Sequence, residues 1–309
     1  MRHHATYYLA LEKYLLNHTD GEYFFTWDIF PTIVCGKHQL LQAEVNLEYL
    51  KSIGAEITRR HSGGGTVFAD EGDFMFSFIL RDRTTDVFAR TLTSFADALH
   101  DLGVNAVLTG RNDLTLEGRK FSGNAFFRND RGTIVHGTMM YDVNIEKLVR
   151  SLNPDNEKLI SKGIASVRQR VINLRSYLNG MSRDELMAHL ERTINMPLPN
   201  FTDEARSMID SFEREYRSDE WIWGNNPRFS YSKKERFPWG GVELQLESRA
   251  NRIEKLVFYG DFFPRQDLNK LYATLTGREI NVHLLDDVVM DDYIMGAENE
   301  NILKLFPLS

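Results

Sequence analysis

The sequence predicts an α+β protein: a large, mixed but mainly antiparallel sheet domain flanked by helices, with a small C-terminal α+β domain after it. Three observations carry this expectation. Between residues 104 and 143, short runs rich in β-branched and aromatic residues alternate with glycine and charged turns, too closely spaced for helical crossovers. On either side of that region, apolar residues recur at helical spacing. The chain has 309 residues, about twice a common single domain, and its character changes near Asn225-Asn226-Pro227. The expected division is therefore 1–225 and 226–309.

Taken in order, Tyr8, Leu11, Leu15 and Leu16 predict an N-terminal amphipathic helix. Glu22 to Ile29 and Thr32 to Cys35 read as neighbouring strands broken at Pro31. Glu44 to Ile53 reads as a short helix ended by Gly54. Two strands, around Glu56-Ile57-Thr58 and from Phe74 to Ile79, then flank a glycine-rich turn. Val87, Phe88, Leu92, Phe95, Ala96 and Leu99 mark a helix over about 86–102, stopped by Gly103. Helices are expected again over Ile145 to Leu152 and Asp203 to Tyr216. In the last part, Val242 to Leu246 alternates with a period of two, and Ile253 to Tyr259 reads as its partner strand. Trp221, Trp223 and Trp239 read as packing anchors at the domain junction.

Composition narrows the function. Hydrophobic residues make up 42% and charged residues 26%, the balance of a globular chain rather than a disordered one. No apolar run approaches the roughly 20 residues that span a bilayer, and the first residues form no signal-type stretch, so no membrane association is expected. A net charge of −7 argues against nonspecific nucleic-acid binding. Cys35 is the sole cysteine, which excludes an internal disulfide framework and points to a cytoplasmic protein.

Two segments carry chemistry. In Arg59-Arg60-His61-Ser62-Gly63-Gly64-Gly65-Thr66-Val67-Phe68, three glycines permit positive φ and let backbone N–H groups approach an oxyanion, although a plain hairpin turn uses the same residues. The segment is neither a Walker A loop nor Gly-x-Gly-x-x-Gly. In Lys120-Phe121-Ser122-Gly123-Asn124-Ala125, small residues follow a lysine, so a ligand can pack against backbone beside the ammonium. A lysine so placed can hold a carboxylate against a phosphate and offset charge that grows during substitution at phosphorus.

Together with Asn112-Asp113-Leu114, His136-Gly137-Thr138, the segment Lys162 to Leu174 (Lys-Gly-Ile-x-Ser-Val-Arg-x-Arg-Val-x-Asn-Leu) and Trp239 to Leu244 (Trp-Gly-Gly-Val-Glu-Leu), these motifs resemble the lipoate-protein ligase A family, in order along most of the chain. The resemblance implies a two-step acyl transfer. The carboxylate of lipoate attacks the α-phosphorus of ATP to give lipoyl-AMP and pyrophosphate, and a lysine amine of an acceptor then displaces AMP. It implies that Arg60, Gly65, Thr66, Val67, Phe68 and Lys120 hold ATP. Lys120, Gly123 and His136 would hold lipoate, and Lys120 would be the catalytic charge. Mg2+ is expected with ATP, with Asp113 as its candidate ligand. The implied acceptors are lipoyl domains of 2-oxoacid dehydrogenase complexes and the glycine-cleavage H protein.

Three positions depart from the family pattern. Ala69 stands where His is usual, Asp73 where Asn is usual and Leu40 where Asn is usual. Asp73 threatens to add negative charge near the phosphates. These departures keep two alternatives open: a less active or non-catalytic lipoyl-binding paralogue, and an octanoyl or lipoyl transferase working through a thioester. The second needs a nucleophilic thiol, and Cys35 lies in an apolar strand where an inert, buried thiol is expected. The net charge also leads to the expectation that Arg59, Arg60, Arg119 and Lys120 converge on one cleft.

Overall fold

The computed structural model describes residues 2–39, 41–110, 112–152, 157–223, 231–249 and 251–307. Packing divides the chain into two compact units. One comprises Met1–Cys35, Leu41–Arg60 and Thr66–Ile222, the other Gly36–Leu40, His61–Gly65 and Trp223–Ser309. The expected boundary near residue 226 falls outside the described residues. Two short loops from the first quarter of the chain, the second holding the three glycines, group with the C-terminal residues.

The first unit is built on a six-stranded antiparallel sheet in the order β1-β5-β9-β8-β7-β6. Its strands are β1 (Tyr23–Trp27), β5 (Asp73–Leu80), β6 (Val107–Thr109), β7 (Asp113–Leu116), β8 (Arg119–Asn129) and β9 (Gly132–Met140). Every residue of β5 and β9 is buried, because both faces of the sheet are covered. On one face lies α1 (Ala5–His18), where Tyr8 stacks on Trp27 with ring centroids 5.2 Å apart. On the other lies α4 (Val87–His100), whose Phe95 sits 4.2 Å from Phe76 and whose Phe88 sits 5.0 Å from Phe126. Helix α1 is buried on most of its circumference because α8 (Asp203–Arg217) packs behind it, with Thr6 Oγ1 donating to Glu213 at 3.0 Å.

A second sheet runs β3 (Glu56–Arg59), β2 (Thr32–Cys35), β4 (Val67–Ala69), parallel between β2 and β3 and antiparallel between β2 and β4. Two expectations change here. The strands on either side of Pro31 are not partners, since β1 pairs with β5 while β2 enters the second sheet. The glycine segment is not a hairpin, because it carries the chain from one edge of β2 to the other. The all-buried Thr-Ile-Val-Cys of β2 has backbone groups to satisfy on both sides, and β3 and β4 supply one side each.

Local signals set the remaining helices. The helix expected from Glu44 forms as α2 (Leu41–Glu44) and α3 (Leu47–Ser52), the latter capped by Asn46 through the Tyr49 N–H at 3.0 Å, and Gly54 after it takes φ 65°. Helices α5 (Ile145–Leu152), α6 (Glu157–Arg170) and α7 (Arg183–Ile194) follow. The sequence reading had no helix over α7, although Ser182 and Glu185 form a complete capping box at its start. Among the described residues, no helix is long and apolar enough to cross a membrane.

In the second unit, β10 (Tyr231–Phe237), β11 (Gly240–Arg249) and β12 (Arg252–Gly260) form an antiparallel sheet. Val242, Leu244 and Leu246 of β11 point into its core with Phe258 and Leu271, as the period-two alternation requires. Trp239 belongs to this core, and Trp221 packs edge-on against Tyr216 in the first unit.

Candidate active site

The motif lysine and the Asn-Asp motif meet through strand register. The β7–β8 pairing shifts between Leu114 and Thr115, which sets Asp113 opposite Gly123 and Thr115 opposite Lys120. The side chain of Lys120 folds forward over Gly123, where an added Cβ would lie 2.7 Å from Nζ and 2.8 Å from Cε. Its ammonium reaches Asp113 Oδ1 at 2.7 Å. That oxygen has a charge beside it but accepts no aligned hydrogen bond among the described residues. Both side chains remain more than a third exposed.

Neighbouring amides hold this corner in place. Asn112 Nδ2 donates to Asn124 O at 2.8 Å and Asn124 Nδ2 returns a bond to Asn112 O at 3.0 Å, which clamps β7 to β8 beside Asp113. The Val-x-Asn-Leu end of the later motif braces the other side. Ile172 N–H donates to Lys120 O at 2.9 Å, Leu174 N–H to Met140 O at 2.9 Å, and the Asn173 amide pairs with both backbone groups of Val143. An ammonium over a side-chain-free patch of backbone, held by one half-exposed carboxylate, can exchange that partner for an anionic ligand.

Gly123 N–H donates to Thr138 Oγ1 at 3.3 Å on β9, and His136 is two residues along the same face of that strand. His136 is buried, with Nδ1 2.8 Å from Glu12 Oε1 of α1. Ser77 Oγ donates to the same Glu12 oxygen at 2.5 Å, and Trp27 Nε1 donates to Ser77 Oγ at 2.8 Å. The histidine expected to hold the acyl group is thus one member of a buried polar chain. Sequence reasoning missed Glu12 in this role. The signal was its place on the apolar side of α1, one turn from Tyr8 and from Leu15 and Leu16.

Arg60 is 4% exposed and donates to Val34 O at 2.9 Å. Burial lowers its pKa to about 10, with Cys35 and Glu12 acting in the opposite direction. It stays a cation at neutral pH. Thr66 Oγ1 lies 3.5 Å from Cys35 Sγ, while Val67 and Phe68 pair with Val34 and Ile33. Cys35 is fully buried and its thiol is pushed up by that burial. Of the other three cations expected to share a cleft with Arg60, Arg59 Nε donates to Ile222 O, Arg119 bonds Glu117 and the Tyr177 hydroxyl, and Lys120 meets Asp113.

The glycine loop belongs to the second unit and packs there. An added Cβ at Gly63 would lie 2.5 Å from Phe262 O and 2.6 Å from Pro264 Cδ. Gly64 has φ 86° and donates its N–H to Phe262 O at 3.1 Å. Close packing at Gly63 and the left-handed backbone at Gly64 therefore already favour glycine. At Gly65 an added Cβ meets nothing nearer than Asp261 Cβ at 4.0 Å, so no such demand applies.

Two departures from the family pattern acquire surroundings, and Leu40 lies outside the described residues. Ala69 is buried in the core beneath α1. Asp73 is 2% exposed and accepts the Asp70 N–H at 2.9 Å. Burial pushes its carboxyl well above the usual carboxylate range, and the nearby Asp70 adds to the rise. That favours the neutral acid and works against an added negative charge. A cavity of about 610 Å³ opens elsewhere in the first unit, with Phe78, Phe95 and Met196 in its wall, and none of the expected site residues lines it.

Comparison with known proteins gives the family. The lipoyl protein ligase A/B catalytic domain matches residues 4–195, and the bacterial lipoate protein ligase C-terminus matches residues 226–306. Lipoate-protein ligase LplJ of Bacillus subtilis is 35% identical over 96% of this chain and 95% of its own length. Lipoate-protein ligase 1 of Staphylococcus aureus is 34% identical over 87% of this chain and 85% of its own. Among solved structures, P. falciparum LipL1 in complex with lipoate superposes with a TM-score of 0.77 at 19% identity, covering 98% of this chain and 95% of the other. The bipartite lipoate protein ligase of Thermoplasma acidophilum, solved with its E2 lipoyl domain, superposes with a TM-score of 0.64 at 24% identity, covering 74% and 94%. These two structures share the fold.

Proposed function

This chain belongs to the lipoyl protein ligase A/B family, and from that premise we propose that it is an ATP-dependent lipoate-protein ligase. In the first step a lipoate carboxylate oxygen forms a bond to the α-phosphorus of ATP, and the bond to the pyrophosphate oxygen breaks, leaving lipoyl-AMP. In the second, the ε-amine of an acceptor lysine bonds the acyl carbon, loses a proton and releases AMP. Proteins of this family act on lipoyl-domain acceptors. The acceptors assigned here are lipoyl domains of 2-oxoacid dehydrogenase complexes and the glycine-cleavage H protein, in the cytoplasm.

The observation that carries the reading is Lys120, arched over Gly123 and paired with the half-exposed Asp113 carboxylate. Its ammonium trades Asp113 for the lipoyl carboxylate and α-phosphate and offsets the charge that accumulates between them. Holding both reactants together supplies the proximity that a condensation needs. Arg60 and the Gly65-Thr66-Val67-Phe68 segment are assigned to the nucleotide, and Gly123 and His136 to the acyl group. We assign residues 1–225 to catalysis and 226–309 to an accessory domain. A magnesium ion that arrives with ATP takes one or two carboxylates beside phosphate oxygens, and a carboxylate next to Lys120 suits that need. Asp113 Oδ1, a hard oxygen that accepts no aligned hydrogen bond among the described residues, is the candidate ligand. The buried Cys35 thiol supports adenylation over the thioester route.

Mass spectrometry of a lipoyl domain incubated with this protein, ATP, Mg2+ and lipoate tests the proposal. One lysine should gain one lipoyl group, only with ATP present, together with lipoate-dependent ATP-pyrophosphate exchange. An unmodified acceptor and no exchange would overturn it.

A further inference from the structure

The buried chain under His136 has features that packing alone does not require. Glu12 sits in the middle of α1, its side chain 4% exposed, in a position where an apolar residue would complete the helix face. Burying a carboxylate costs several kcal/mol unless donors surround it. Here they do: the Ser77 hydroxyl and the His136 ring both meet Oε1. The charge also reaches Arg60 beyond β3 and the buried Tyr216 on α8, whose phenol it helps to raise. Glu12 is thus the anion shared by elements that carry two assigned binding residues, Arg60 and His136.

A carboxylate only accepts hydrogen bonds, so its contact with Nδ1 places a ring proton on that nitrogen. Nε2 is then the ring nitrogen that accepts rather than donates. We propose that Glu12 is a positioning residue of the acyl site: it fixes the ring orientation and tautomer of His136, and through His136 the affinity for the lipoyl substrate. Ser77 and Trp27 hold the carboxylate in turn, so the chain runs from β1 through β5 and α1 to β9. This rests on the ligase reading, in which His136 faces the acyl group.

The test uses Glu12→Gln, which keeps the size and one acceptor but adds an amide donor, so the ring proton is no longer confined to Nδ1. Losing one oriented hydrogen bond corresponds to about a fivefold to tenfold change. The expected result is a rise of that size in the KM for lipoate, an ATP KM within about twofold, and no further rise when Glu12→Gln is added to His136→Gln. An unchanged lipoate KM, or an equal rise with and without His136, overturns the proposal. Long-range proton-nitrogen NMR of the wild-type protein, assigned by the signal lost in His136→Gln, supplies a readout independent of turnover and of how well the variant folds. It should show a proton on Nδ1, and a bare Nδ1 overturns the assignment. A wild-type protein that makes no lipoyl-AMP sinks the ligase reading instead, while the NMR result still decides the role of Glu12.

Discussion

Lys120 and His136 come from adjacent antiparallel strands, yet their surroundings are opposite. Among the described residues Lys120 has one ionic partner, Asp113, and both are partly in water. His136 meets a carboxylate that is itself held by Ser77, with Trp27 behind it, all out of contact with solvent. An exposed ion pair contributes about 0–1 kcal/mol, so a charged ligand displaces Asp113 at little cost. Removing one partner from a buried, charged network leaves the other without compensation and is far more expensive. The difference separates an ion pair open to solvent from a polar chain enclosed on all sides.

The comparison breaks most decisively at Lys120. Lys120→Ala should lower ATP-pyrophosphate exchange about 100-fold or more while thermal unfolding stays nearly unchanged, since the lost pair is exposed. Near-normal exchange would show that the catalytic charge lies elsewhere. A smaller loss, about tenfold, is expected for Gly123→Ala, because the new methyl would occupy the space of Nζ, 2.7 Å away, and the flexible lysine must yield. Exchange kinetics with intact folding would establish that the lysine needs this path, and unaltered kinetics would refute it.

Asp73→Asn sharpens the buried side through stability. Below the unfolded-state pKa of about 4, both folded and unfolded chains keep the Asp73 proton. Above it the unfolded chain ionises while the buried carboxyl resists, so this group makes the protein less stable as pH rises towards its raised folded value. The variant should therefore unfold at higher temperature than wild type, by a margin that grows as pH rises above about 4. A margin that is flat or shrinks would contradict a neutral Asp73. The least effect on turnover is expected from Cys35→Ser: activity within about twofold, with a stability cost of about 1–3 kcal/mol for a hydroxyl in an apolar strand. Loss of acyl transfer by a folded Cys35→Ser protein would revive thioester chemistry.

Much of the sheet was legible because its strands are bounded by glycine and charged turns and its helices keep strong periodicity, as in α4. The pairing of β1, β2, β3 and β4 was not. A four-residue apolar strand such as β2 names no partner, and sequence neighbours are only the default choice. At the site, the Lys-x-Ser-Gly-x-Ala spacing announced a lysine beside backbone. The approach of Asp113 depended on a one-residue register shift that no local pattern records. Glu12 was passed over because a single acidic residue in an apolar helix reads as interruption until its partners, 65 and 124 residues away, are known.

By itself, the sequence determined the class of fold, the order of the motifs and the family, and it singled out the lysine proposed to carry the chemistry, because these depend on residue type and local spacing. Tertiary structure alone decided which charges remain exchangeable and which are locked, that Gly63 and Gly64 answer to Phe262 and Pro264, and that Asp73 leans towards neutrality. Burial and the company of distant side chains set those outcomes. Both arise only when segments far apart in the chain are brought within a few ångströms of each other.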